Sequence, residues 1–235
     1  LRGPDRVVAA LRVECPEVTS IVQNVNTRRT NAILGKQNRT LWGTGVMHDK
    51  LLGCTFEIGP SSFYQTNPEQ TELLYQLALD AVDLEGGMSV LDAYCGTGTI
   101  GICAAAANSG VEVTGVERVA SAVRCAERNA RANGVAERCD FVAADATEWM
   151  SRKAGERHFD VVLMDPPRAG STPDFLHGVA DLAPERVVYV SCNVQTQARD
   201  LEVLLGRGYT LRSVAPVDMF PHTKHVESVA VLARR

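Results

Sequence analysis

The sequence predicts an α/β domain, a mostly parallel sheet covered by helices, preceded by a small β-rich segment. Three observations point there. From residue 67 onward strand-like and helix-like stretches alternate, the pattern of strands joined by helical crossovers. A strand ending at Ala93 runs into a glycine-rich turn that opens a helix. The last two strand-like stretches, 211–217 and 226–233, are joined by only about eight residues, too few for the crossover a parallel pair needs, so they should pair antiparallel.

The elements follow in order. Residues 1–66 carry short β-like runs between polar turns, as at Ser20–Val25 and 55–58, with a small basic cluster of Arg28, Arg29, Lys36 and Arg39. Asn67-Pro68-Glu69-Gln70 marks a boundary. Asn67 suits a helix cap, Pro68 its first turn, and Gln70 can complete a capping box. Leu73, Leu74, Leu77, Ala78, Ala81 and Val82 then recur at helical spacing, and Gly86-Gly87 is expected to end that helix. Strands are expected at Ser89–Ala93, 111–117, 140–144, 158–165 and Arg186–Ser191. Helices are expected at 101–108, 120–133, 174–182 and 194–205, with Gly134 and Gly206 as stops. Pro166-Pro167 ends the strand before it.

Composition excludes several classes. Hydrophobic residues make up 45% of the 235 and charged residues 22%, which is too apolar for a chain disordered throughout. No run of about 18 apolar residues exists, so no membrane-spanning helix is expected. Leu1-Arg2-Gly3-Pro4-Asp5 has no secretory signal behind it, and the missing initial Met suggests a fragment or processed chain. The formal net charge is −4, from 24 Lys and Arg against 28 Asp and Glu. That balance disfavours nucleic-acid binding without a local basic patch. Seven cysteines, an odd number with no CxxC spacing, argue against a disulfide framework or zinc knuckle and for the reducing cytoplasm.

Chemistry concentrates at four places. Val90-Leu91-Asp92-Ala93-Tyr94-Cys95-Gly96-Thr97-Gly98-Thr99-Ile100-Gly101 is a strand, a glycine turn and a helix start. Gly96, Gly98 and Gly101 let the backbone approach a nucleotide-like ligand, and Glu117, ending the next strand, can accept from ribose hydroxyls. A tight structural turn with a solvated strand-end acid is the bland alternative. NAD and S-adenosylmethionine both satisfy the pattern. Asp165, ahead of Pro166-Pro167-Arg168, and Cys192, within Ser191-Cys192-Asn193, both end strands where an open α/β sheet lines its ligand crevice. A helix starting at Val194 should lower the thiol pKa of Cys192. The other six cysteines read as structural thiols. Asp218 to Glu227 holds His222, Lys224, His225 and Glu227 in a short loop. Two histidines three apart are weak support for a metal, and none is expected. Glu227 can serve as a general base if the loop folds over the crevice.

Five ordered motifs make the chain similar to a known family. Ser62-Phe63-Tyr64-Gln65-Thr66-Asn67-Pro68, Asp92 to Gly98, Asp165-Pro166-Pro167-Arg168, Ser191-Cys192-Asn193, and Phe220 to Glu227 with Pro221-His222-Thr223-Lys224-His225-Val226 between together resemble the RNA uracil-C5 methyltransferases, which make 5-methyluridine in 23S ribosomal RNA or transfer RNA. The resemblance spans nearly the whole chain. It implies a Rossmann-like class I methyltransferase fold with seven strands, the last antiparallel. It also implies S-adenosylmethionine as cofactor and RNA as partner, 23S rRNA ahead of tRNA. Residues 1–66 correspond to the family's central β segment, with an RNA contact expected there, and 67–235 to the catalytic domain. By resemblance Gln65, Tyr94 and Glu117 contact the cofactor and Asp165 sits between cofactor and uracil. Cys192 matches the nucleophile and Glu227 the proton-abstracting base. Thr99 stands where some relatives carry a cofactor-touching Asn, and Arg168 is assigned to orienting Asp165 or the nucleotide. The family's usual N-terminal RNA-binding barrel and iron–sulfur cysteines have no counterpart here.

The chemistry demands such a set. C5 of uracil is a weak nucleophile. A thiolate adding to C6 makes C5 enolate-like, so that it can attack an electrophilic methyl, after which a base removes the C5 proton and the thiolate leaves. The uridine must be taken out of its stack. Three other readings remain open: a dinucleotide-dependent oxidoreductase, which leaves Asp165 and Cys192 without work, a non-catalytic RNA-binding module, and a cytosine-C5 methyltransferase.

Overall fold

The structure, a computed structural model of the chain, describes residues 3–29, 33–35, 37–153 and 156–235. Helix α1 (Pro4–Glu14) precedes a hairpin of β1 (Ser20–Val25) and β2 (Gln37–Gly43) and a second hairpin of β3 (Met47–Leu51) and β4 (Cys54–Ile58). Then come α2 (Pro68–Val82), β5 (Ser89–Ala93), α3 (Thr99–Ala107), β6 (Glu112–Glu117), α4 (Ala120–Ala132), a 3-10 turn (Ala136–Arg138) and β7 (Cys139–Ala143). Helix α5 (Ala146–Lys153), β8 (Val161–Met164), α6 (Pro173–Leu182), β9 (Arg186–Ser191), α7 (Val194–Gly206), β10 (Tyr209–Val217) and β11 (Glu227–Arg234) complete the chain.

Seven strands form one sheet in the order β10-β11-β9-β8-β5-β6-β7. The pairs β9-β8, β8-β5, β5-β6 and β6-β7 are parallel, and β11 is antiparallel to both β9 and β10. The antiparallel closing pair is therefore as expected. Strand residues alternate between two apolar layers. Val161 and Leu163 of β8 join Leu74, Ile102 and Val113 on one face. Val162 and Met164 join Phe175, Leu176 and Leu204 on the other. Helices α2, α3 and α4 cover the first layer and α5, α6 and α7 the second. Burial on both sides explains why β8 reads as an unbroken apolar run.

The β3–β4 hairpin packs into the first layer through Leu51, Cys54, Phe56 and Ile58, so residues 51–58 share one core with the sheet. Asn129 of α4 and Asn133, which caps its end, hold the hairpin's edge in place of a further strand. Asn133 Oδ1 accepts from Thr55 N and its Nδ2 donates to Thr55 O, both at 2.8 Å. One turn earlier, Asn129 Oδ1 accepts from Glu57 N at 2.8 Å, and its Nδ2 donates to Thr97 O at 3.2 Å.

Several local expectations need correction. Helix α2 starts as expected, with Asn67 Oδ1 accepting from Gln70 N at 3.3 Å, but it ends at Asp83 in the left-handed region (φ 56°), ahead of Gly86-Gly87. Helix α3 begins at Thr99, two residues before Gly101. Helices α1 and α5 and strands β2 and β3 were not foreseen. Helix α1 buries none of its residues, and Arg12 lies over the Trp42 ring at 4.5 Å. Arg28, Arg29 and Arg39 of the basic cluster are exposed, while Lys36 lies outside the described residues. No helix among the described residues is long and apolar enough to cross a membrane.

Candidate active site

The carboxyl ends of β5, β6, β8 and β9 and the start of β11 meet around a cavity of ≈ 630 Å³. Its wall includes Gln65, Tyr94, Glu117, Asp165, Cys192 and Glu227, all six residues singled out from the sequence. Gln65 comes from the stretch that leads into α2 and is 7% exposed. Thr99 does not line the cavity.

The glycine turn is built by close packing. Tyr94 (φ 64°), Gly96 (φ 56°) and Gly98 (φ 80°) reverse the chain between β5 and α3. A Cβ on Gly101 would come within 2.8 Å of Asp92 Oδ2 and Val113 Cγ1, so only glycine lets α3 sit this close to β5 and β6. Asp92 accepts from Gly101 N at 3.0 Å. Its carboxyl is pushed up to about 7, chiefly by burial, with the Gly101 amide opposing and the charge of Glu117 adding. Glu117 braces the turn from β6, with Oε2 accepting from Gly96 N at 3.3 Å and Oε1 from Val119 N at 2.7 Å.

The turn after β8 is pinned to α7. Asp200, 1% exposed, accepts from Ser171 N and from Tyr189 Oη, both at 2.7 Å. Arg199 Nη2 donates to Ala169 O at 3.0 Å. Ser171 Oγ lies 3.2 Å from Tyr94 Oη, and the Tyr94 ring packs on Phe175 at 5.2 Å between centroids. Burial pushes the Tyr94 phenol up to about 12. Ser228, beside Glu227, donates to Gln197 Oε1 at 2.7 Å, so α7 also steadies the start of β11.

Cys192 and Glu227 come together through the ladder. Ser228 pairs with Ser191 in the antiparallel register of β11 and β9, which brings the adjoining residues Glu227 and Cys192 to the same end of the two strands, and both line the cavity. Cys192 is half-buried and open to the cavity, and Glu227 is 4% exposed. Arg168 lies on the cavity wall and contacts the ring of His225.

The electrostatics correct one expectation. The Cys192 thiol is pushed up, not down, by burial and by the charges of Glu227 and Asp165, with Arg168 opposing. Asn193, between the thiol and α7, caps that helix itself by accepting from Gln195 N at 3.1 Å, so the helix end is already partnered. Asp165 is pushed up to about 8 by burial, then by Glu227 and Asp92. Glu227 is raised by burial, against Arg168. Like charges crowd one place, and each favours the neutral form of its neighbour.

Sequence reading missed Asp145, Phe63 and Arg118, which also line the cavity. Asp145 ends the stretch after β7 as Glu117 ends β6, and its Oδ1 accepts from Thr147 N (3.0 Å) and Glu148 N (3.3 Å), capping α5. Recognising α5 would have exposed it. Phe63, 79% exposed, stands at the lip.

The cavity suits a cationic nucleoside. Four carboxyls (Glu117, Asp145, Asp165, Glu227) face it against two guanidiniums (Arg118, Arg168). A sulfonium relieves that crowding, whereas the pyrophosphate of a dinucleotide adds to it. Among the described residues no group of three or more His, Cys, Asp or Glu stands where a metal could be held.

Comparison with known proteins places the chain in a family. The family model described as tRNA (uracil-5-)-methyltransferase matches residues 46–235. An uncharacterized RNA methyltransferase of Oceanobacillus iheyensis is 44% identical over 229 residues, covering 97% of this chain and 49% of the relative. Another, of Lactiplantibacillus plantarum, is 45% identical over 232 residues, covering 98% and 50%. This chain thus spans about half the length of the curated relatives it matches. Among solved structures, Pyrococcus abyssi tRNA (uracil-54, C5)-methyltransferase in complex with S-adenosyl-L-homocysteine superposes with a TM-score of 0.77 at 33% identity, covering 94% of this chain and 53% of that one. The seven-stranded sheet with its antiparallel closing strand is that of the class I S-adenosylmethionine-dependent methyltransferases.

Proposed function

Because the chain belongs to the tRNA (uracil-5-)-methyltransferase family, whose model matches residues 46–235, we propose that it carries the catalytic part of an enzyme methylating C5 of a uridine in RNA. The observation that supports the reading is the sharing of one cavity by the glycine turn, Cys192 and Glu227. S-adenosylmethionine fits that cavity, and Gln65, Tyr94, Glu117 and Asp165 would hold it there. When bound it supplies an electrophilic methyl on a sulfonium.

The residues of the chain do the rest. Cys192 adds as thiolate to C6 of a flipped-out uracil, and the electron pair of the C5–C6 double bond moves toward the C4 carbonyl. C5 then takes the methyl. Glu227, as carboxylate, removes the C5 proton. The electrons of that C–H bond reform the double bond and expel the thiolate. Arg168 favours the ionised forms of both groups. Asp165, on the same wall, is assigned by the motif resemblance to the junction of cofactor and uracil.

The motif resemblance puts 23S ribosomal RNA first as substrate. Residues 1–66, with exposed Arg28, Arg29 and Arg39, are assigned to RNA contact and residues 67–235 to catalysis. A second reading, transfer RNA, is favoured by the name of the Pyrococcus abyssi protein. An RNA substrate and seven free thiols fit action in the cytoplasm. Mass spectrometry of nucleosides from separated ribosomal and transfer RNA, with and without the gene, tests the proposal. Loss of 5-methyluridine from one fraction supports it and names the RNA. Unchanged 5-methyluridine in both overturns it.

A further inference from the structure

The contact between Arg168 and His225 is not used by the reaction as written, yet its place in the sheet is specific. Strand β9 stands between β8 and β11, and Cys192 follows directly on β9. Arg168 lies on the turn that leaves β8, and His225 lies two residues ahead of Glu227, where β11 begins. The contact therefore joins the two strands flanking β9 across the end where the thiol stands. A guanidinium has no acceptor, so the ring nitrogen of His225 accepts from Arg168 Nη2, with Nδ1 nearer than Nε2. The backbone of Arg168 is fixed as well. Its carbonyl oxygen accepts from Asn193 Nδ2 at 3.1 Å and Thr196 Oγ1 at 3.3 Å.

We propose that His225 is a positioning residue that holds the Arg168 guanidinium across Cys192 and Glu227, where its charge favours the thiolate. The proposal deepens the reading of Cys192 as nucleophile and rests on it. The charged and titratable groups facing the thiol come from every flank: Glu227 from β11, Asp165 and Arg168 from the turn after β8, and His225 from the approach to β11. Asp92 of β5 acts on Asp165 in turn. Of these side chains, Arg168 is the one whose charge lowers the thiol pKa. A guanidinium on a flexible stem loses that influence when it swings into solvent, because the interaction falls with distance and screening. An acceptor that fixes its direction keeps it.

The test needs neither RNA nor turnover. The protein is alkylated with iodoacetamide across a pH series, and the Cys192 peptide is followed by mass spectrometry, apart from the other six cysteines. Arg168→Met and His225→Leu are each expected to raise the pH midpoint by about half a unit or more, a roughly threefold lower thiolate fraction below the midpoint. His225→Asn, whose Oδ1 can accept near the position of Nδ1, is expected to track the wild type. S-adenosylhomocysteine binding on the same preparations reports whether the site is intact. Should His225→Leu fail to fold, His225→Ala, which offers no acceptor either, replaces it. A wild-type midpoint in a folded His225→Leu overturns the proposal, and so does a His225→Asn midpoint raised as far as that of His225→Leu. The proposed function fails on a different result, methylation retained by Cys192→Ala.

Discussion

Ser191 of β9 and Ser228 of β11 are paired in an antiparallel register, and that one pairing sets the chemistry that follows them. It brings Cys192 and Glu227, two groups 35 residues apart in the chain, to one end of the sheet, on the wall of one cavity with the glycine turn. A single-residue slip would put every side chain of β11 on the wrong face of the sheet. The buried bond from Ser228 to Gln197 helps hold the register.

Glu117 carries the cofactor prediction. A hydrogen bond to a charged group contributes about 1.5–3 kcal/mol. Glu117→Ala should therefore weaken S-adenosylhomocysteine binding by about ten- to a hundredfold. Calorimetric titration checks this, and an unchanged affinity would remove Glu117 from the cofactor site.

The buried carboxyls carry a pH prediction. Asp92 and Asp165 are raised to about 7 and about 8, so the folded protein keeps protons that the unfolded chain releases near pH 4. The folded state binds more protons between those values. The stability each contributes is full below about pH 4 and is lost as pH climbs through about 7 to 8. Asp92→Asn should flatten the fall of melting temperature over that window. A slope equal to the wild type would show that Asp92 does not titrate there.

The β3–β4 hairpin should behave as part of the catalytic core. Phe56 is fully buried among residues of α2, α3 and the sheet. Phe56→Ala should cost about 3–5 kcal/mol. Asn133→Ala leaves the edge groups of Thr55 short of partners and should cost about 1–3 kcal/mol. Denaturant unfolding is expected to stay a single transition with an earlier midpoint. A separate early transition for either variant would mean that the hairpin unfolds on its own.

These particulars mark what sequence reading can reach. Strands β8 and β9 were legible because buried parallel strands are apolar runs, as Val161–Met164 before Pro166 illustrates. Of the six cavity residues, Glu117, Asp165, Cys192 and Glu227 were legible because each stands where such an element ends or begins, whereas Gln65 and Tyr94 came from the motif resemblance alone. Helix α1 was not, because Val7 and Leu11 remain partly exposed and leave no apolar face to detect. Helix α5 was missed because its eight residues offer only Trp149 and Met150 as large buried side chains, and Asp145 was lost with it. The thiol shift came out with the wrong sign for a related reason. The helix behind Cys192 is a local feature, but the burial of the thiol, and after it the approach of Glu227 and Asp165, come from strand order, which spacing does not encode.

Cys192→Ala should reduce methylation of RNA below detection while S-adenosylhomocysteine still binds, because the thiol acts on the uracil and not on the cofactor. Filter assays with labelled methyl donor, beside calorimetry on the same variant, separate the two effects. Loss of both together would point to a collapsed site.

The most direct test of the account is to isolate the covalent intermediate. Glu227→Gln, incubated with substrate RNA and S-adenosylmethionine, removes the base after the thioether bond has formed. The account predicts an RNA–protein adduct stable to denaturation, carrying a methylated uridine and mapping by peptide mass spectrometry to Cys192. An adduct on any other cysteine, or full methylation with no adduct when Cys192 is alanine, would contradict it.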